Sequence, residues 1–269
     1  GYPILMWQEG ADNNLGDLTG GGTEDNPYLI YTLMDLRRLS EDTELWNNQY
    51  FKQMNDIDAS DTHNWKLCGT DNIVGFRPIG RKVQEPYDTK KYFENGGYDG
   101  NNKTIFDIKI NTSWLPGEFQ DDAGLFGRTK NVNIKDIVLE SPTIDGGRNR
   151  TGGLIGSDYS SNGNESTISN IVIRNISLAN GAASNQYLGG LIGHAIYTTI
   201  NACKIEGGNI GYHKKTELVG GLVGEANNVD ITLSFSSADV KGKYYVGGLI
   251  GKSKNSTTVN SSYARGNVK

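Results

Sequence analysis

The stretch QYLGGLIGHA, residues 186–195, decides the fold. Its core, Gly-Gly-Leu-Ile-Gly, suits neither regular element: glycine weakens strands and costs about 1 kcal/mol in a helix relative to alanine. Yet the chain repeats it. The pattern stands as GLFG at 124–127, GGLIG at 152–156, GGLIG at 189–193, GGLVG at 220–224 and GGLIG at 247–251. The leucines Leu125, Leu154, Leu191, Leu222 and Leu249 lie 29, 37, 31 and 27 residues apart. A second apolar series follows them, Ile134, Ile168, Ile200, Ile231 and Val259, and a third follows that, Ile144, Leu178, Ile210, Val240 and Val268. The three marks are separated by polar, turn-rich stretches, and runs such as STISNIVIRNISL have strand character.

Three short strands and three turns per repeat make one triangular coil. Stacked coils pair each strand with its equivalent one repeat on, which is a solenoid. The expected fold is therefore all-β, a parallel β-helix with three strands per coil, right-handed by strand twist and crossover rules. Leucine is expected inside, stacked on leucine. The flanking glycines are expected to supply close approach and positive φ. The second apolar residue of the motif (Phe126, Ile155, Ile192, Val223, Ile250) has the opposite strand parity, so the pattern alone does not say what covers it. A further column, Ile137, Ile171, Cys203, Ser234 and Ser262, makes Cys203 a buried structural thiol. Insertions at SDYSSNGNES, ANGAASNQY and GYHKKTE read as surface loops.

A solenoid must close its apolar end. TLMDLRRLSEDTELWN, residues 32–47, reads as a short N-terminal capping helix. Thr32 and Asp35 form a capping box, and Leu33, Leu36 and Leu39 recur at helical spacing. Strands are expected in QYFKQMNDIDA, GFRPIG and KTIFDIKI, with GGYDGNNKT as a turn cluster. Residues 1–20 read as an N-terminal strand and linker, and 21–269 as the solenoid, stopping mid-repeat in SSYARGNVK.

Composition narrows the function classes. Of 269 residues 36 are glycine and only 36% are hydrophobic, which suits a narrow core. Residues 1–65 hold 12 acids and 3 bases, the remainder 19 and 23, and neither balance is the basic footprint of a nucleic-acid binder. No run approaches a membrane span, and the N-terminus lacks a signal-peptide pattern, so any export signal is expected outside this chain. Cys68 and Cys203 make neither a disulfide framework nor a zinc site.

These motifs resemble the GLUG-motif proteins, bacterial surface and secreted proteins named for a Gly-Leu-hydrophobic-Gly repeat. The resemblance rests on GTEDNPYLIYTLMDLRRLSE, YFKQMNDIDAS, FRPIG, FENGGYDGNNKTI, AGLFG, the repeated VGGLIG and SSYARGNV. It implies a right-handed parallel β-helix on an exported protein, often an adhesin. Because GYPILMWQ is similar to the segment that often closes a preceding GLUG block, it also implies that residues 1–20 end such a block. Similar blocks lie beside the catalytic region of IgA-specific metallopeptidases. It supplies no catalytic residues. The loops at 81–92 and 113–122 depart from its usual short turns.

Catalytic chemistry finds little footing. His63, His194 and His213 lack the His-Glu-x-x-His setting and read as exposed turn residues. Two residues after the second mark stand Asp136, Asn170, Ala202, Leu233 and Ser261, so no acids stack there as a glycan-cleaving site needs. Asp121 and Asp122 are adjacent and expected on opposite faces. Asp56, Asp58 and Asp61 lack the glycine and distant glutamate of an EF-hand. Exposed aromatics in the long loops, Tyr87, Tyr92 and Trp114, are the candidate binding residues, because rings stack on sugars or anchor protein partners. Phe93 and Tyr98 fall on core positions. The reading is a non-catalytic extracellular or cell-surface module with no cofactor or metal. It would act as adhesin or stalk and bind host or bacterial surface glycans or proteins. The alternatives are an accessory region of a secreted IgA-type metallopeptidase, or a glycan-active β-helix enzyme.

Overall fold

The computed structural model describes residues 17–82, 91–115, 120–146, 148–180, 187–211 and 218–269. Almost every strand pairs parallel with the equivalent strand one repeat away, forming a 20-stranded sheet that winds into a β-solenoid. One column shows the register. Tyr28 pairs with Phe51, Phe51 with Tyr98, and Tyr98 with Ile134, after which Ile168, Ile200, Ile231 and Val259 follow in turn. The third mark runs likewise from Ile144 through Leu178, Ile210 and Val240 to Val268. Leu125, Leu154, Leu191 and Leu222 are wholly buried. Cys203 is too, and burial pushes its thiol up to about 12, so it is a packing residue. The column below it is stitched by hydroxyls: the Cys203 N–H donates to Ser234 Oγ at 3.0 Å, and the Ser234 N–H to Ser262 Oγ at 3.1 Å.

Both apolar residues of the motif enter the core. Phe126, Ile155, Ile192 and Val223 are as buried as the leucines. Parity does not separate them, because Leu154 lies in the bend before strand Ile155–Tyr159 and alternation begins only at Ile155. Beside the three main segments, four coils carry a further three-residue strand: Arg150–Gly152, Tyr187–Gly189, Leu218–Gly220 and Tyr245–Gly247. These pair parallel as a separate four-stranded sheet that brings Thr151, Leu188 and Val219 into the interior.

None of the motif glycines from Gly152 to Gly251 has positive φ, contrary to the expectation that some would. They are there for space. A Cβ on Gly189 would lie 1.9 Å from the Ile192 carbonyl oxygen inside its own turn. One on Gly190 would lie 2.2 Å from the Gly221 carbonyl oxygen of the next coil. One on Gly193 would lie 2.7 Å from the Thr151 nitrogen of the short sheet. Three glycines thus answer three backbone approaches, and each recurs one coil on.

Positive φ is used at the corners instead. The column Asp136, Asn170, Ala202, Leu233 and Ser261 has φ of 56°, 54°, 54°, 51° and 48°. Its residues shape a turn and are not a face for catalytic acids. Asn and Asp tolerate this region, whereas other side chains pay about 1–2 kcal/mol. Leu233 also stands 61% exposed. Leu233→Asn is therefore expected to raise unfolding stability by about 1 kcal/mol, read as a higher urea midpoint at unchanged slope. An unchanged or lower midpoint would contradict the corner assignment.

At the N-terminal end the helix spans Leu33–Glu41 and stops short of the expected 47. The capping box forms: the Asp35 N–H donates to Thr32 Oγ1 at 3.2 Å and the Thr32 N–H to Asp35 Oδ2 at 2.9 Å. Asp42 ends it by capping a second short helix, the 3₁₀ turn Thr43–Trp46. Leu36 and Leu39 are wholly buried in the common core, with Leu33 against it. GFRPIG is not a strand; it makes isolated bridges, Gly75 to Ile110 and Ile79 to Phe126. GGYDGNNKT is not a free turn either. All of it but Gly96 lies inside strand Gly97–Phe106, which corners at Asn101 and Asn102 while its register shifts.

Candidate functional site

The motif strands carry a fixed position two residues after the second apolar residue of the motif itself (Phe126, Ile155, Ile192, Val223, Ile250). Pairing stacks Arg128, Ser157, His194, Glu225 and Lys252 there, one per coil. Beside them the short sheet stacks Arg150, Tyr187, Leu218 and Tyr245. The two columns together form an aromatic and ionic strip along the solenoid.

Tyr92, one of the candidate loop aromatics, is at one end. Its ring meets Tyr159 edge-on at 5.6 Å, and Tyr159 meets the His194 ring at 6.0 Å. His194 in turn stacks obliquely on Tyr187 at 5.5 Å. The Arg150 guanidinium lies 5.6 Å over Tyr159 and the Lys252 ammonium 5.3 Å over Tyr245. Trp114 is 54% exposed on the turn after strand Lys109–Asn111 and takes no part in these contacts. Tyr87 lies outside the described residues, as do His213 and the N-terminal GYPILMWQ stretch.

Carboxylates anchor the strip from below. Asp122, at φ 60°, is wholly buried. It lies 2.5 Å from Arg128 Nε and 3.2 Å from Arg150 Nη1, and accepts from Ser157 Oγ. Its neighbour Asp121 is half-buried and accepts from Asn149 at 2.7 Å; burial, then the Asp122 charge, raises its carboxyl. Burial is the largest single influence on Arg150 and works against its charge, but Asp122, Tyr159 and Asp121 together overcome it and hold the guanidinium above its ordinary range. Glu225, 3% exposed, lies 3.4 Å from His194 Nε2, 2.9 Å from Lys254 Nζ and 3.8 Å from Lys252 Nζ.

His194 was expected in an exposed turn. It sits instead in strand Ile192–Asn201 with a side chain only 13% exposed, and burial, then Arg150, pushes it down to about 4. It is neutral at pH 7. The serine beside it in register, Ser157, is wholly buried and donates to Asp122. Serine, histidine and acid are therefore not aligned as nucleophile, base and orienting group. The other candidate acids have local tasks: Asp58 Oδ1 accepts the Ser60 N–H at 2.9 Å and Asp56 Oδ1 the Thr104 N–H at 2.8 Å. Among the described residues no group of three or more His, Cys, Asp or Glu could hold a metal, and no helix is long and apolar enough to cross a membrane.

One more carboxylate lies inside. Asp158, wholly buried, accepts hydroxyls from Thr129 at 2.9 Å, Ser160 at 3.2 Å, Ser166 at 3.0 Å and Thr198 at 2.7 Å. These partners come from three successive coils and flank the inserted turn after Tyr159. Burial still dominates and pushes Asp158 up to about 6. A raised acid contributes stability that is complete below its unfolded value near 3.8 and lost as pH rises through about 6. His194 does the reverse: its contribution is present above 6.5 and lost as pH falls to about 4. Each shift corresponds to about 3 kcal/mol, so the two slopes largely cancel between pH 4 and 6. Asp158→Asn keeps the hydrogen bonds, since Thr198 can turn its hydroxyl to the Ile196 carbonyl at 3.3 Å. Urea melts of this variant should show stability falling by about 3 kcal/mol on acidification from pH 7 to 4, as His194 acts alone. A curve as flat as the wild type's would contradict the pairing of opposed groups.

Repeat alignment held the signal for this strip. The position two after the motif's second apolar residue and the position two before its first glycine recur from coil to coil, but their residues differ so much in type that only register unites them.

No protein-family model matches the chain. Among curated proteins, halomucin of Haloquadratum walsbyi is 30% identical over 178 residues, 65% of this chain but 2% of halomucin. The chain thus spans about a fiftieth of the length of that relative. Among solved structures, a Bacteroides ovatus protein provisionally assigned as an immunoglobulin A1 protease superposes with a TM-score of 0.58, over 91% of this chain and 77% of that one. The chain shares its solenoid fold. At 16% identity the likeness speaks of fold alone.

Proposed function

We propose that this chain is a non-catalytic, extracellular solenoid module that acts as a stalk or adhesive surface and binds glycans or proteins through the His194 strip. The strip carries this reading: tyrosines and cations line up along a rigid face, while the acid, histidine and serine beneath them are buried or already paired. Rings on a preorganised scaffold bind with little ordering cost. The likeness to halomucin and the resemblance to GLUG-motif proteins support a place outside the cell.

A second reading is an accessory region of a secreted IgA-type protease, favoured by the fold shared with the Bacteroides ovatus protein. In that case the strip would hold substrate or cell wall for a catalytic region elsewhere. Glycan and surface-protein arrays probed with the wild type and with Tyr92→Ala test the shared claim. Binding that the variant loses supports it, and an empty array or an unaffected variant counts against it. Release of new reducing ends from a bound glycan would overturn the non-catalytic assignment.

A further inference from the structure

Charge in the strip is layered. The carboxylates lie underneath, with Asp122 and Glu225 at 0% and 3% exposure. The cations stand outside: the side chains of Arg150, Lys252 and Lys254 keep 24%, 36% and 44%. A partner approaching this face meets one guanidinium, two ammonium groups and tyrosine rings, with the compensating negative charge screened behind them.

The fold also sets a spacing. Arg150, Tyr187, Leu218 and Tyr245 are one residue per coil in a single column. Coils repeat at ~4.8 Å, so Tyr187 and Tyr245 are two coils, or ~10 Å, apart. That matches the length of one disaccharide in an extended, two-fold β-linked polysaccharide, whose alternate sugars present the same ring face. An acidic peptide could meet the cations, but an extended strand returns its side chains to one face only every ~6.8 Å, out of step with the ~10 Å spacing of the tyrosines.

We infer that the strip binds an extended acidic polysaccharide along the solenoid axis, its carboxylate or sulfate groups pairing with Arg150, Lys252 and Lys254 and alternate sugars stacking on Tyr187 and Tyr245. This rests on the glycan-binding form of the proposed function. Ion pairing at such an exposed surface is screened by salt, whereas stacking is not.

The test titrates the chain with three probes of matched geometry: cellohexaose, sulfated cellohexaose and a β-linked mannuronate hexamer. At least one anionic probe should bind, with affinity falling roughly fivefold when ionic strength rises tenfold, while neutral cellohexaose binds at least an order of magnitude more weakly. Binding of the mannuronate alone assigns carboxylate as the recognised group, and binding of the sulfated probe alone assigns sulfate. Tyr245→Ala should weaken binding about tenfold. Lys252→Gln should weaken it less and flatten the salt dependence. Tyr245 is 53% exposed, and Glu225 keeps the closer Lys254 at 2.9 Å when Lys252 is replaced, so both variants should keep the wild-type urea midpoint. Equal binding of neutral cellohexaose overturns the inference but leaves glycan binding standing. So does full affinity in both variants. If neither anionic probe binds, the inference also falls; the proposed function then stands or falls on whether the arrays yield a ligand lost in Tyr92→Ala.

Discussion

Gly190→Ala is expected to lose at least about 3 kcal/mol of stability, the upper range for overpacking, although it adds a single methyl group. The added Cβ would lie 2.2 Å from the Gly221 carbonyl oxygen and 2.8 Å from Ile210 Cδ1. A side chain can rotate away, but the Gly221 backbone is pinned: its N–H donates to the Gly247 carbonyl at 3.1 Å. Relief requires coils to separate, which strains the parallel ladder on both sides. Gly163 supplies the control, with φ of 82° and nothing within 4 Å of a Cβ. Gly163→Ala should cost only the backbone term, about 1 kcal/mol. Urea melts of the two variants separate close approach from conformational freedom. Equal losses would mean that the motif glycines are kept for backbone flexibility, contrary to the packing described above.

That comparison also shows what the sequence could and could not reveal. Columns such as Ile134, Ile168, Ile200 and Ile231 were legible because each coil places one branched residue at the same inward position, and spacing alone aligns them. The reason for the glycines was not legible. Glycine permits both positive φ and close approach, and only the position of the neighbouring coil decides between them. The short strands Arg150–Gly152, Tyr187–Gly189, Leu218–Gly220 and Tyr245–Gly247 were missed because three residues carry no measurable alternation. Leu233 stood in a column searched only for acids and is a corner at φ 51°, since backbone strain leaves no mark on a single side chain. The helix was read too long because Asp42, which ends it by capping the next turn, looks the same as an acid inside a helix. The binding candidates divide similarly. Tyr92 could be named from its loop, but its partners Tyr159, Tyr187 and His194 lie 67, 95 and 102 residues further on, and pairing register brings them together.

The largest effect belongs to Leu191→Asp. Leu191 is wholly buried between Leu154 and Leu222, themselves wholly buried, and its N–H donates to the Leu222 carbonyl at 2.9 Å. Substitution first removes the apolar contribution, about 1.5–3 kcal/mol for a buried leucine. It then places a carboxylate where Leu154 and Leu222 offer no donors, which costs several kcal/mol more even if the acid takes up a proton. Asp158 shows what this interior demands of a carboxylate. It has four hydroxyl partners, and burial still pushes it up to about 6. Leu191→Ala isolates the packing part, with an expected loss of about 2–5 kcal/mol. In a solenoid each coil rests on its neighbours, so the damage should centre on the coils around Leu191. Amide exchange should quicken from the strand Ile155–Tyr159 through Val223–Thr232, while the helix Leu33–Glu41 stays protected. Wild-type stability in Leu191→Asp, or exchange that quickens evenly along the whole chain, would be incompatible with a stack of coils held by inward columns.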